Sequence, residues 1–69
     1  MRLQQLYEIT VLDRDGSDRT LLVLARSESD ARRLARARGR IKAIDANHGP
    51  FAAQGGSRII GDVELRVVG

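Results

Sequence analysis

Polar and apolar positions alternate over Leu3–Leu12, where Tyr7, Ile9 and Val11 are separated by Glu8 and Thr10. A period of two puts every second side chain on one face, which predicts a half-buried β-strand. The polar run Asp13-Arg14-Asp15-Gly16-Ser17-Asp18 follows, and its Asp-Gly step predicts a hairpin turn. Arg19–Arg26 predicts the returning strand, with Leu21, Val23 and Ala25 on one face. Its other face, Leu22 and Leu24, is apolar too. That is the pattern of a central strand, or of one whose second face is covered.

The period then changes. Ser27–Arg40 predicts one short helix, because Ala31, Leu34 and Ala35 recur at helical spacing. Ser27 is the expected N-cap, and Asp30 stands where a capping box usually carries Glu or Gln. Gly39 is expected to end the helix in the left-handed conformation. Arg40–Ala46 predicts a third strand that buries Ile41 and Ala43, with Ile44 a further candidate. Asn47-His48-Gly49-Pro50 reads as a turn on composition. Phe51–Gln54 reads as a short edge strand, and Gly55-Gly56 as another turn. Arg58-Ile59-Ile60 opens a strand that Gly61 breaks or bulges. Asp62–Val68 closes the chain, with Val63, Leu65 and Val67 inward and Asp62, Glu64 and Arg66 outward. The expected architecture is α+β: a β-β-α-β-(β)-β antiparallel sheet with one helix packed on one face, forming a single domain over residues 1–69.

In this arrangement Leu6, Leu12, Leu22 and Leu24 fall on the face away from the helix. They form a candidate homodimer face, since a contiguous apolar patch marks an interface. The alternative is that segment 47–61 folds over them.

Composition removes several function classes. There is no cysteine and one histidine among 69 residues, so disulfides, thiolate metal sites and His-rich metal sites are excluded, and no metal or cofactor is expected. No apolar run approaches the ~18 residues of a membrane span, and no signal-peptide pattern precedes the first strand. The expectation is a soluble, cytoplasmic protein without a membrane segment. Catalysis finds no constellation. Asp13, Asp15 and Asp18 crowd one turn but lack the later bidentate acid of a calcium loop. His48 has no nucleophile or acid at motif spacing, and Gly55-Gly56-Ser57 has no following lysine for a phosphate loop. No catalytic residue is expected.

Charge is what changes the picture. The formal net charge is +3, but it is unevenly spread. Arg26, Arg32, Arg33, Arg36, Arg38, Arg40 and Lys42 stand against only Glu28 and Asp30, a local excess of +5, while the rest of the chain is net negative. Such a patch attracts nucleic acid or acidic protein surfaces. Arg32 and Arg36 share a helical face, Arg33 lies beside them, and Arg38 and Arg40 extend the cationic run. Guanidinium groups bind phosphate and carboxylate bidentately, so Arg32, Arg33, Arg36, Arg38 and Arg40 are the candidate partner-binding residues. The alternative is a solvated face closed by Glu28–Arg32 and Asp30–Arg33 pairs. One Tyr and one Phe provide no stacking platform for single-stranded bases, and no recognised DNA- or RNA-reading motif is present. Non-specific phosphate contact to DNA is left open.

The run Thr20-Leu21-Leu22-Val23-Leu24-Ala25-Arg26-Ser27-Glu28-Ser29-Asp30-Ala31-Arg32-Arg33-Leu34-Ala35, preceded by Tyr7-Glu8-Ile9 and a polar hairpin, resembles small phage-encoded type I anti-CRISPR proteins, a type I-F inhibitor of nearly the same length above all. The resemblance covers about the first two-thirds of the chain and weakens after Arg38. It implies a curved antiparallel sheet with one helix, and a non-enzymatic inhibitor made in a bacterial host from a phage or mobile element. It also implies a target: a type I crRNA-guided surveillance (Cascade-like) complex, engaged at its Cas7-type backbone, whose access to target DNA is blocked. The family's adjacent basic pair falls by position on Arg32 and Arg33. A lysine one turn further falls on Ala37, a departure that leaves the subtype open. A small basic protein binding nucleic acid by phosphate contacts, or a homodimeric interaction module, are the other two readings.

Overall fold

The computed structural model describes residues 2–65. Four antiparallel strands and one helix follow in the order β1 (Arg2–Leu12), β2 (Asp18–Ala25), α1 (Glu28–Arg36), β3 (Arg40–Ala53) and β4 (Arg58–Leu65). The sheet order is β3-β1-β2-β4, so the hairpin β1–β2 forms its centre. This agrees with the α+β architecture expected from the pattern and explains why β2 is apolar on both faces.

The pairing Tyr7↔Val23 and Ile9↔Leu21 puts the alternating apolar residues of both central strands on one face. Helix α1 covers that face, and Tyr7, Ile9, Val11, Leu21, Val23, Ala25, Ala31 and Ala35 form one buried cluster, with Leu34, Ile41, Ile44 and Ile59 packed against it. The helix contributes only two alanines and the edge of Leu34, so it lies close on the sheet. Ile41 and Ile44 face the core as expected but are only half-buried. Ala43 is exposed instead, because it pairs with Thr10 and so shares its helix-free face.

The helix begins as its cap predicts. Ser27 is extended, and its hydroxyl accepts from the Asp30 amide at 3.2 Å. Its end differs from the expectation. Ala37 is still right-handed, and Gly39 does not have positive φ. Glycine is required there by proximity: a Cβ on Gly39 would lie 2.4 Å from the Leu12 carbonyl oxygen. The helix therefore does not reach Arg40, which opens β3.

The second half of the chain departs most from the sequence reading. Asn47–Pro50 is not a turn, and Phe51–Ala53 is not a separate strand; both belong to β3, which runs unbroken for 14 residues beside β1. Three irregularities lengthen β3 relative to its partner, between Gln5 and Tyr7, Glu8 and Ile9, and Thr10 and Val11. Two of them insert Lys42 and Asp45; the third lies at His48-Gly49, where Gly49 takes φ 88. A bulge admits an extra residue without ending the strand, which is how a Gly-Pro segment stays paired. At Gly61 the second of the two expected outcomes holds: β4 is not broken but is irregular beside it, Ile60 being the extra residue between the Leu22↔Gly61 and Val23↔Ile59 pairs. The expected inward placement of Val63, Leu65 and Val67, and the strand's extension through 66–68, lie outside the described side chains and residues.

Because β3 and β4 are opposite edges, residues 54–57 must cross the end of the sheet. They do so beside Gln4, which is fully buried and donates from Nε2 to the Gly55 carbonyl at 3.0 Å. The Arg26 amide donates to the Ser57 hydroxyl at 3.3 Å, and the Arg58 guanidinium donates to the carbonyls of Gln54 and Gly56 at 2.9 and 3.1 Å.

Candidate functional site

The helix-free face carries the four leucines assigned there. Leu6 pairs with Leu24, and all four lie on alternate positions facing away from α1. They are not a bare patch: Leu24 is buried, and Leu6, Leu12 and Leu22 are half-buried. Polar side chains from the inserted residues of β3 lie across this face. Lys42 Nζ is 2.9 Å from both carboxylate oxygens of Asp18. The Thr10 hydroxyl donates to the Asp45 carboxylate, and Thr20 lies 3.1 Å from Thr10, its own hydroxyl being left to donate. His48 Nε2 is 3.0 Å from Glu8 Oε1. That carboxylate, 40 residues away in the chain, is the acid the local motif could not show. The His48–Glu8 pair is more than a third exposed on both sides.

The turn after β1 uses its own carboxylates. Asp15 accepts from the amide and hydroxyl of Ser17 at 2.9 and 2.6 Å, and these bonds hold its carboxyl below the ordinary value, the hydroxyl's contribution being the larger. Asp13 accepts from the Arg14 amide and pairs with Arg19 at 3.1 Å. Among the described residues, no group of three or more His, Asp or Glu side chains is placed to hold a metal ion. Tyr7 is buried under the helix, and burial raises its phenol above the ordinary value, with the Glu28 carboxylate adding to the shift.

The cationic candidates separate into distinct environments. Arg32 and Arg33 stand on the solvent side of α1. Arg32 Nε reaches Glu28 at 3.4 Å, and Arg33 reaches Asp30 at 3.3 Å, with the Arg33 side chain 73% exposed. Arg36 is exposed one turn beyond Arg32 and has no acidic partner among the described residues. Arg38 is engaged elsewhere: its guanidinium lies 2.9 Å from Asp62 of β4, which also meets Arg19 at 3.5 Å. Through Asp13–Arg19–Asp62–Arg38, the hairpin turn, β2, β4 and the end of the helix are linked. Arg40 is exposed at the start of β3, beside Leu12, Ile41 and Lys42, which line a shallow cleft of about 270 Å³. Arg26, just before the helix cap, is also exposed. It belongs to the local cationic excess but lies outside the set of candidate binding residues.

The structure thus brings Arg32, Arg33 and Arg36 together on one helix face. It assigns Arg38 an internal ion pair and leaves Arg40 on the neighbouring strand. No helix among the described residues is long and apolar enough to cross a membrane. Comparison with known proteins finds no matching family model, no matching curated protein and no matching solved structure.

Proposed function

We propose that this protein acts by binding, not by catalysis, through the arginine face of α1, and that its partner is a type I crRNA-guided surveillance complex whose engagement of target DNA it blocks. The observation that supports this reading is the solvent-facing row of half-buried Arg32 and exposed Arg33 and Arg36 on a helix held against a sheet. Guanidinium groups on a rigid element suit bidentate contact with the phosphates or carboxylates of a nucleoprotein groove. The choice of target rests on the resemblance of segment 20–35 to type I anti-CRISPR proteins. Production inside a bacterial host from a phage or mobile element belongs to the same proposal.

The test is a gel shift of target DNA by purified type I surveillance complexes with and without the protein, including a lane of protein and DNA alone. Loss of the complex's shift, with none from the protein alone, supports the proposal. The double variant R32E/R33E is then expected to restore the shift while keeping the wild-type melting curve. Undiminished inhibition by that variant removes these two residues from the account. A shift by the protein alone that disappears at moderate salt supports direct phosphate binding instead. A monomer–dimer equilibrium with no shift in any lane leaves the homodimeric module.

A further inference from the structure

The arginine face is partly occupied by the helix's own acids, and this occupancy has a direction. Both exposed ion pairs place the carboxylate in the first turn and the arginine one turn further on: Glu28 with Arg32 at 3.4 Å, Asp30 with Arg33 at 3.3 Å. Both acids also sit at the positive end of the helix dipole, where negative charge is favoured. Arg36, one turn on, has no acid within the helix beside it, and among the described residues Asp13 and Asp62 are engaged by Arg19 and Arg38.

We propose that Glu28 and Asp30 are built-in competitors of the anionic partner: docking begins at Arg36, and Arg32 and Arg33 engage only when the partner's anions displace these two carboxylates. This rests on the reading that the arginine face is the docking surface. The physical reason is exchange. An exposed arginine–carboxylate pair is worth little in water, so it does not prevent binding. It does lower the gain when a phosphate takes the carboxylate's place, and the displaced carboxylate then repels the incoming anion. The outcome is a surface that discriminates against isolated anions and favours a dense row of them, because only a partner with several closely spaced charges gains Arg36, Arg32 and Arg33 in one engagement. Glu28 and Asp30 are therefore specificity-determining residues for the proposed docking.

The test compares two variants with equal change in net charge. E28Q/D30N neutralises the competing acids; E8Q/D45N neutralises two acids on the helix-free face, where Glu8 meets His48 and Asp45 meets Thr10. Each is run with wild type on immobilised heparin in a salt gradient, with thermal melts to confirm folding. E28Q/D30N is expected to elute at clearly higher salt than E8Q/D45N, and its apparent affinity for a 20-base-pair duplex at low salt is expected to rise several-fold. Coincident elution of the two variants overturns the proposal, since net charge alone then explains retention. Elution of E28Q/D30N with the wild type overturns it as well. None of these readouts uses a surveillance complex, so they fail or succeed separately from the choice of target.

Discussion

Lys42 and Asp18 are 24 residues apart and lie on strands that do not touch, yet Lys42 Nζ sits 2.9 Å from both carboxylate oxygens of Asp18. The pair spans β1, which separates β3 from β2 in the sheet. Its reach depends on Lys42 being an inserted residue, set between the Val11↔Ile41 and Thr10↔Ala43 pairs. Both side chains are more than a third exposed, so solvent screens the attraction. K42M is therefore expected to cost less than about 1 kcal/mol, read as a small shift in the urea midpoint. A loss several times larger would show that the pair is effectively shielded from water.

Gly39 gives a sharper expectation. A methyl group there would lie 2.4 Å from the Leu12 carbonyl oxygen, and the obstacle is backbone rather than a mobile side chain. G39A should destabilise by about 1–3 kcal/mol, the range for overpacking. G56A, where nothing lies within 4 Å and φ is not positive, should be nearly neutral. Equal midpoints for the two variants in chemical denaturation would contradict the close approach.

The N-cap is testable in the same way. Ser27 accepts from the Asp30 amide, and this orients the helix that carries the arginines. S27A is expected to cost about 1 kcal/mol and to lower helical ellipticity at a temperature near the wild-type midpoint. An unchanged midpoint would assign the helix start to packing alone.

Asp15 supplies a pH-dependent prediction. Its carboxyl is held below the ordinary value by the Ser17 hydroxyl first and the Ser17 amide next. A depressed folded-state value means the unfolded chain binds the proton more readily. The associated stabilisation is present above the ordinary carboxyl range and is lost as pH falls through the folded-state value. In S17A the dominant cause is gone, so the Asp15 carboxyl should titrate at higher pH by carbon-detected NMR. An identical titration in S17A and wild type would remove the hydroxyl from the explanation.

The first half of the fold was legible because its signals are local. Alternation in β1 and β2 named Tyr7, Ile9, Val11, Leu21, Val23 and Ala25, and helical spacing named Ala31 and Ala35; all eight are buried in one cluster. Periodicity also sufficed to put Arg32, Arg33 and Arg36 on the outer helix face. The second half failed for a physical reason. Each insertion in β3 resets the period of two, so 40–53 shows no sustained alternation, and Gly49-Pro50 carries turn chemistry although the chain stays paired. The fates of Arg38 and Lys42 were equally hidden, because Asp62 and Asp18 are each 24 residues away and are brought near only by the sheet order. Gly39 shows a third kind of blindness: its position reads as a left-handed helix end, whereas its φ is not positive and a neighbouring strand's carbonyl is what leaves no room for a side chain.

The three insertions of β3 also bear on how copies of this chain meet one another. An edge strand offers a row of unpaired amides and carbonyls on which a foreign strand can grow. On β3 that row loses its even spacing three times in 14 residues, at positions occupied by Lys42, Asp45 and His48-Gly49. A regular strand laid along it would fall out of step at each one. The opposite edge, β4, is interrupted once. Continuous growth of the sheet from molecule to molecule needs both edges to be receptive, so the irregular edge is expected to act as a chain terminator for that kind of assembly.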